Sequence, residues 1–269
     1  MNNSLFDVKG GKCMNKVAVI TGGGAGIGKG IVLKLAREGY DIGVCDLRPE
    51  VLETIKPEVE ALGVRCETAV CNVAEQADVK AMMDKFYKAF GRIDVLVNNA
   101  GICPIRGLFD LTPEGVMKVF QINVLSMILT TQIAAKYMME QGGGRIVNAC
   151  SQSGYRETAA TIEYGMTKWG IRGMTRCMAA ALAPHNITVN AYCPGKVWTE
   201  MQEEITRQVC EAHPEITPEQ YKASLYKDIP LQRLQTVEDI ANLVYFFVGP
   251  TGDNITGQCI LVNGGQVMC

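Results

Sequence analysis

Two side chains able to take part in proton transfer, Tyr164 and Lys168, lie four positions apart in a segment of helical character. In a helix this spacing places both on one face, about one turn apart. A nearby ammonium favours the phenolate and so lowers the pKa of a tyrosine. Such a tyrosine can exchange a proton with an alcohol or carbonyl oxygen as a general acid or base. Ser151 follows a predicted strand at 145–149, at the strand end where open α/β sheets bind ligands.

A glycine-rich turn is the second candidate site. The predicted strand 16–21 runs into Thr21-Gly-Gly-Gly-Ala-Gly-Ile-Gly28, and a pattern of helical period begins at Gly26. The glycines at 22, 26 and 28 allow a backbone to approach a pyrophosphate, and the following helix presents its positive N-terminus. A tight strand-to-helix turn would use the same residues, but the strand before and the helix after favour dinucleotide binding.

Asp46 ends the second predicted strand and indicates which dinucleotide is bound. A carboxylate there accepts hydrogen bonds from the adenosine ribose and repels a 2′-phosphate. Arg48 argues for NADP, but Ala25 leaves the glycine turn without a basic residue. The sequence therefore favours NAD, with a simple turn-forming role for Asp46 as the alternative.

These groups must be positioned by alternating strands and helices, which indicate parallel βαβ crossovers. We predict an α/β fold: a single doubly wound parallel sheet of Rossmann type with helices on both faces. Residues 15–269 are expected to form one catalytic domain after a flexible leader at 1–14. The irregular segment at about 195–232 is interpreted as a helical substrate lid, or alternatively as a surface excursion.

Composition narrows the function classes. The chain has 269 residues, 28 acidic and 26 basic side chains and a net charge of −2, which argues against a nucleic-acid partner. Eleven scattered cysteines without a Cys-x-x-Cys pair indicate a reducing cytoplasm, and two histidines are too few for a typical zinc site, so no metal is predicted. No run approaches about 20 consecutive apolar residues, so no membrane span or signal peptide is expected.

Taken together, these motifs resemble those of the short-chain dehydrogenase/reductase family over nearly the whole chain. TGGGAGIG is similar to its cofactor turn, and Asn98-Asn99-Ala100-Gly101 to its motif after the fourth strand. Asn123, Ser151, Tyr164 and Lys168 match its catalytic residues in order, and Pro194-Gly195 and Thr199 match its nicotinamide-side turn.

The resemblance implies a role for each of these residues. Tyr164 would be the acid or base, Lys168 would bind the nicotinamide ribose and lower the Tyr164 pKa, Ser151 would hydrogen-bond the reacting oxygen, and Asn123 would hold a water that relays the proton. Asn72 stands where many relatives have an aspartate beside the adenine, so a modified contact is expected. A homotetramer is also expected. The expected cofactor-binding set is Gly22, Gly26, Ile27, Gly28, Asp46, Asn72, Val73, Asn99, Ala100, Gly101, Tyr164, Lys168, Pro194, Gly195, Val197 and Thr199.

The segments around Ser151 and Pro194 resemble the butanediol/acetoin subgroup, and the C-terminal Gly-Gly-Gln-Val-Met resembles sorbitol-6-phosphate and other polyol dehydrogenases. Both imply a small polyol, sugar alcohol or vicinal diol, with Gln152, Arg156 and Trp198 as substrate contacts. A phosphorylated substrate becomes credible if Arg156, Lys196 or Arg106 faces the pocket. The alternatives are a hydroxysteroid dehydrogenase, a 3-oxoacyl reductase, and a regulator that binds NAD without turnover.

Overall fold

The computed structural model describes residues 14–269; residues 1–13, which contain almost all of the predicted leader, lie outside that range. The described residues form a seven-stranded sheet in which every neighbouring pair of strands is parallel. The strands are β1 (Val17–Thr21), β2 (Asp41–Asp46), β3 (Cys66–Val70), β4 (Val95–Asn98), β5 (Gly144–Ala149), β6 (Ile187–Pro194) and β7 (Cys259–Val262).

Helices connect consecutive strands, as the alternating pattern predicts. The segment expected to form the helical lid contains two separate helices. The helices are α1 (Gly26–Arg37), α2 (Pro49–Glu60), α3 (Gln76–Phe90), α4 (Pro113–Phe120), α5 (Ser126–Glu140), α6 (Ile162–Leu182), α7 (Glu200–Ala212), α8 (Pro218–Lys227) and α9 (Val237–Val248).

The strand order is β3-β2-β1-β4-β5-β6-β7. The chain therefore builds outward from β1 to one edge of the sheet, then returns to β4 and builds toward the other edge. A crevice opens where this direction reverses, at the carboxyl ends of β1 and β4, and open α/β sheets bind ligands there. The predicted doubly wound sheet of Rossmann type is confirmed.

Both faces of the sheet are covered by apolar layers. Successive strand residues point to opposite faces, so Ala18 and Ile20 pack with α1, α2 and α9, whereas Val17 and Val19 pack with α3 and α5. All four of these side chains are fully buried. Burial on both faces explains why the strands consist of continuous apolar runs rather than alternating polar and apolar residues.

The helical stretch from Pro113 to Glu140 contains one π-helical turn, Gln121–Leu125, between α4 and α5. By length and composition the stretch is apolar enough to cross a membrane, which differs from the expectation of no such segment. The difference arises because apolar residues alternate with uncharged threonines and glutamines, so the average is high although no run is long. Val119, Val124 and Met127 are buried in the protein core, as expected for a core helix.

Candidate active site

A cleft of about 720 Å³ lies at the carboxyl end of the sheet. Residues that end or directly follow β1, β4, β5 and β6 line its floor, and α7 and α8 supply part of its outer wall. Every residue of the expected cofactor-binding set lines this one cleft, from Gly22 in the glycine turn to Thr199 before α7. The tertiary structure thus brings together motifs that are up to 177 residues apart in the chain (199 − 22).

The glycine turn leaves no room for side chains at Gly22 and Gly28. Gly22 has a φ of +60°, and a Cβ there would lie 3.0 Å from the Cα of Ala100. A Cβ at Gly28 would lie 2.1 Å from the carbonyl oxygen of Gly22. No acidic residue occupies the first turn of α1, and Ala25 before it makes no side-chain capping bond. The turn and helix end therefore fit the diphosphate of a dinucleotide.

Asn99 holds the glycine turn against the end of β4. Its Nδ2 donates to the carbonyl oxygens of Thr21 at 3.0 Å and Gly22 at 2.8 Å. The Tyr192 hydroxyl donates to Asn99 Oδ1 at 2.8 Å, so the β6 side chain orients this amide. Sequence reasoning missed Tyr192, which also lines the cleft, because nothing local in the sequence marks a strand tyrosine as a partner of Asn99.

Asp46 lies at the adenosine end of the predicted dinucleotide site. Its Oδ2 accepts from the backbone N–H of Gly24 at 3.2 Å, which ties the strand end to the glycine turn. Arg48 lies 3.5 Å from Asp46 and donates to Glu200 Oε2 at 2.9 Å. Arg48, the candidate for binding a 2′-phosphate here, is therefore paired with two carboxylates, one of them on α7.

Tyr164 lies in the first turn of α6, and Lys168 follows one turn later. The Lys168 ammonium lies 5.2 Å from the centre of the Tyr164 ring and donates to the Ala149 carbonyl at 2.7 Å. Ser151, at the end of β5, is also buried, and its Oγ accepts from the backbone N–H of Ser153 at 3.1 Å. The three predicted residues therefore converge on one wall of the cleft.

The main influence on the pKa of Tyr164 is burial, whereas the expected influence was the charge of Lys168. Burial raises the pKa of the Tyr164 phenol well above its ordinary value, and the hydrogen bond with the Ser151 hydroxyl lowers it only in part. Burial also lowers the pKa of Lys168. Desolvation is therefore the largest influence on the pKa of both groups in this arrangement.

Asn123 occupies the π-helical turn, an irregularity that often marks functional sites. It is fully buried, and its Oδ1 accepts from the Ile102 N–H at 2.9 Å. Its Nδ2 donates to the Ile102 carbonyl at 3.0 Å and to Thr167 Oγ1 at 3.2 Å. Asn123 does not itself line the cleft; it fixes the backbone after Gly101 and connects it to α6.

Two of the three predicted substrate contacts line the cleft. These are Gln152 and Arg156, whereas Trp198 is not among the lining residues. The Trp198 indole N–H donates to Glu203 at 3.1 Å, and the Lys222 ammonium lies 4.1 Å from the ring centre. Contacts with α7 and α8 thus hold the Trp198 ring outside the lining of the cleft.

Several lining residues were not predicted, and they come mainly from α7 and α8 and the loop after β4. The most informative is Gln202, which is 6% exposed and whose Nε2 has no hydrogen-bond partner among residues 14–269. Amphipathic spacing in α7 was the only signal available for it. Cys103 and Ile105, in the loop after β4, are two others, and Lys196, a conditional candidate from the sequence, also lines the cleft.

Arg106, one of the candidate phosphate-binding cations, is paired elsewhere. Its guanidinium donates to the buried Glu163 carboxylate at 3.0 Å, and it does not line the cleft. Across residues 14–269 we find no group of three or more histidine, cysteine or acidic side chains placed to hold a metal ion.

The sheet order, the glycine turn at the reversal point and the Ser-Tyr-Lys wall define a nicotinamide-dinucleotide oxidoreductase that transfers hydride. The chain matches the short chain dehydrogenase family over residues 16–209 and belongs to that family. It is an enzyme of the alcohol dehydrogenase and ketone reductase type.

Three similar proteins span its whole fold. The L-2,3-butanediol dehydrogenase of Corynebacterium glutamicum is 37% identical over 94% of this chain and 99% of its own length. The 3-oxoacyl-[acyl-carrier-protein] reductase of Thermotoga maritima is 34% identical over 94% of this chain and 98% of its own. The crystal structure of acetoin dehydrogenase from Enterobacter cloacae superimposes with a TM-score of 0.83 at 34% identity, covering 95% of this chain and 96% of the other. The resemblance to butanediol and acetoin enzymes is confirmed.

Proposed function

We propose that this protein is an NAD-dependent oxidoreductase that interconverts a secondary alcohol and a ketone in a small polyol, sugar alcohol or vicinal diol, with or without a phosphate group. The observation that carries the substrate class is a pair of glutamines in the cleft wall. Gln152 is 3% exposed and Gln202 is 6% exposed, and Gln152 Oε1 and Gln202 Nε2 have no hydrogen-bond partner among residues 14–269. An unpaired acceptor and an unpaired donor are suited to a hydroxyl or carbonyl next to the reacting carbon.

In the proposed reaction Tyr164 transfers the proton and the bound nicotinamide supplies or accepts the hydride. The protonated Tyr164 phenol donates to the ketone oxygen during reduction and takes the proton back during alcohol oxidation. Ser151 hydrogen-bonds the same oxygen and orients it. Lys168 binds the nicotinamide ribose, and Asn123 holds the Ile102 backbone in place beside the cleft.

NAD is proposed over NADP because of the charges around Asp46. The carboxylate accepts from Gly24 at the adenosine end, and Arg48 is engaged by Glu200 and Asp46. A ribose with free hydroxyls can hydrogen-bond Asp46, whereas a 2′-phosphate would meet its negative charge.

The catalytic domain is proposed to span residues 15–269, with 195–232 acting as the substrate lid. Met201, Ile205 and Val209 from α7 line the cleft, as a lid that excludes water requires.

A homotetramer in the cytoplasm is the proposed assembly and location. Apolar side chains on α4 and α6 support it, since Met117, Met166 and Trp169 are each about half exposed. Surfaces of this kind are typical of interaction sites. Light scattering would show a tetrameric mass, and a monomeric mass would contradict the proposal.

The direct test is Tyr164→Phe, which removes only the proposed proton donor. With NAD(H) and a panel of diols, polyols, hydroxyketones, 3-oxoacyl thioesters and hydroxysteroids, the wild type should turn over the small hydroxylated compounds. The variant should lose about 100- to 10,000-fold in kcat, with NADH binding retained. Tyr137→Phe, which removes a hydroxyl bonded to Asp84 outside the cleft, is the matched control and should be fully active. Full activity of Tyr164→Phe, or turnover of steroids or thioesters only, would refute the proposal.

A further inference from the structure

Four cationic side chains line the cleft, and two of them already have partners. Arg48 pairs with Glu200 and lies beside Asp46 at the adenosine end. Lys168 donates to the Ala149 carbonyl and lies over the Tyr164 ring. The other two, Arg156 and Lys196, therefore require a separate explanation.

Neither Arg156 nor Lys196 has a side-chain hydrogen bond or an ion pair with any residue of the range 14–269. Both side chains are only partly exposed. Glu157 lines the same cleft but is more exposed and forms no ion pair with either cation. Their arrangement contrasts with that of Arg106, whose charge is neutralised by the buried Glu163.

The two cations act on each other and on the catalytic end of the cleft. Burial lowers the pKa of Lys196, and the positive charge of Arg156 lowers it further. Burial raises the pKa of the Cys103 thiol, which also lines the cleft, and the charges of Lys168 and Lys196 both oppose that effect. Lys196 also directly follows Pro194-Gly195, the turn expected beside the nicotinamide. We therefore assign Arg156 and Lys196 to the catalytic end of the cleft, and Arg48 to the adenosine end.

Two unpaired like charges in one partly desolvated cleft are unfavourable unless an anion binds there. A planar guanidinium binds carboxylate or phosphate through two parallel hydrogen bonds, and an ammonium adds a compact charge. We propose that the substrate carries an anionic group, a carboxylate or a phosphate monoester, which Arg156 and Lys196 bind while its carbinol carbon lies at Tyr164. This inference rests on the proposed function and specifies the substrate class for the same site.

The test compares matched pairs of compounds that differ only in the anion. A polyol is assayed against its terminal monophosphate, and 2,3-butanediol against 2,3-dihydroxybutyrate, with saturating NAD. The wild type should prefer the anionic member of at least one pair, and the preferred pair distinguishes phosphate from carboxylate. Lys196→Met and Arg156→Gln should each lower kcat/KM for that member by about 10- to 100-fold, the value of a charge-assisted hydrogen bond. Each variant should lose less activity with the neutral member than with the anionic one, and the KM for NAD should change less than about threefold.

The matched control is Lys222→Met, which removes a lysine of α8 that lies over Trp198 outside the cleft. It should leave the anionic preference unchanged. A preference for the neutral members, an equal loss on both members, or a raised KM for NAD in Lys196→Met would each overturn the inference. The last result would assign the cations to the cofactor.

A readout without turnover separates this inference from the proposed function. Inorganic phosphate is titrated calorimetrically into NAD-loaded protein, so that the diphosphate site is already filled. Wild type and Lys222→Met should bind phosphate, and Lys196→Met and Arg156→Gln should not. Phosphate binding that depends on Lys196, combined with no turnover of any polyol or diol, would refute the proposed reaction but support the anion site. Equal phosphate binding by all four proteins would overturn the anion site alone.

Discussion

Replacing Asp46 by asparagine should change which dinucleotide the protein prefers. The substitution keeps the size of the side chain and an acceptor oxygen for the Gly24 N–H, and removes one negative charge. The Asp46 side chain is only 11% exposed, so its charge is partly shielded from water. Arg48 would then be held by Glu200 alone and would be freer to approach a 2′-phosphate.

The magnitude follows from Coulomb's law. Two unit charges about 5 Å apart repel each other by about 1 to 3 kcal/mol at effective dielectric constants of about 80 to 20. Removing the repulsion should therefore raise the ratio of kcat/KM with NADP to kcat/KM with NAD by about 5- to 150-fold. The loss of charge-assisted bonds to the ribose should lower NAD affinity in the same variant.

The assay is steady-state kinetics with each dinucleotide and one alcohol substrate, together with fluorescence titration of NADH and NADPH. Asp253→Asn is the matched control, because it removes an equal charge from an exposed carboxylate paired with Arg145 outside the cleft. If Asp46→Asn changes the NADP-to-NAD ratio by less than twofold, or to the same extent as Asp253→Asn, the electrostatic reasoning is wrong.

Three further predictions concern the glycine turn, the buried hydrogen bonds of Asn98 and the cap of helix α9. Gly28→Ala should raise the KM for NAD by about 10- to 100-fold, because the new Cβ would lie 2.1 Å from the Gly22 carbonyl oxygen. Gly170→Ala, whose Cβ meets nothing within 4 Å, is the control and should leave the KM for NAD unchanged. Equal effects of the two substitutions would contradict the prediction. Asn98→Leu should lower the urea-derived free energy of unfolding by about 2 to 4 kcal/mol, because it leaves buried threonine and amide partners unpaired; a loss below about 1 kcal/mol would count against the network. Hydrogen bonding to Arg233 lowers the pKa of Asp239 to about 2 from 3.8, so its contribution is present above about pH 4 and is lost as pH falls toward 2. Asp239→Asn should therefore lower the free energy of unfolding by about 1 kcal/mol at pH 7 and by progressively less below pH 4, and a pH-independent difference would exclude the titration.

The sequence was sufficient where chemistry depends on neighbours along the chain. The glycine turn could be predicted from the local sequence, since only residues without a Cβ adopt φ values such as the +60° of Gly22 at no steric cost. Tyr164 and Lys168 share a face because α6 is a helix, and period-3.6 spacing is visible without any tertiary information. Buried parallel strands likewise appear as continuous apolar runs, which is why the sheet could be predicted.

Contacts between side chains of different helices and strands could not be predicted from the sequence. Trp198 lies next to the cofactor turn in the chain but packs with Glu203 and Lys222, whereas Gln202, four positions later, reaches the cleft. Trp198 precedes α7, whereas Gln202 lies in the first turn of that helix, and the docking of α7 and α8 decides which of the two side chains faces the cleft. The π-helical turn that orients Asn123 toward Ile102 is also a product of packing rather than of a local motif.

The amino-acid sequence by itself determined the glycine turn, the shared helix face of Tyr164 and Lys168 and the parallel sheet, because each follows from backbone sterics or from helical and strand periodicity. Only the tertiary structure decided which charges in the cleft are neutralised. Arg48 and Arg106 find carboxylates on α7 and α6, whereas Arg156 and Lys196 find none among the residues described. The physical reason is that ion pairing acts over a few ångströms in space, and residues 152 positions apart, such as Arg48 and Glu200, are brought within that range only by folding.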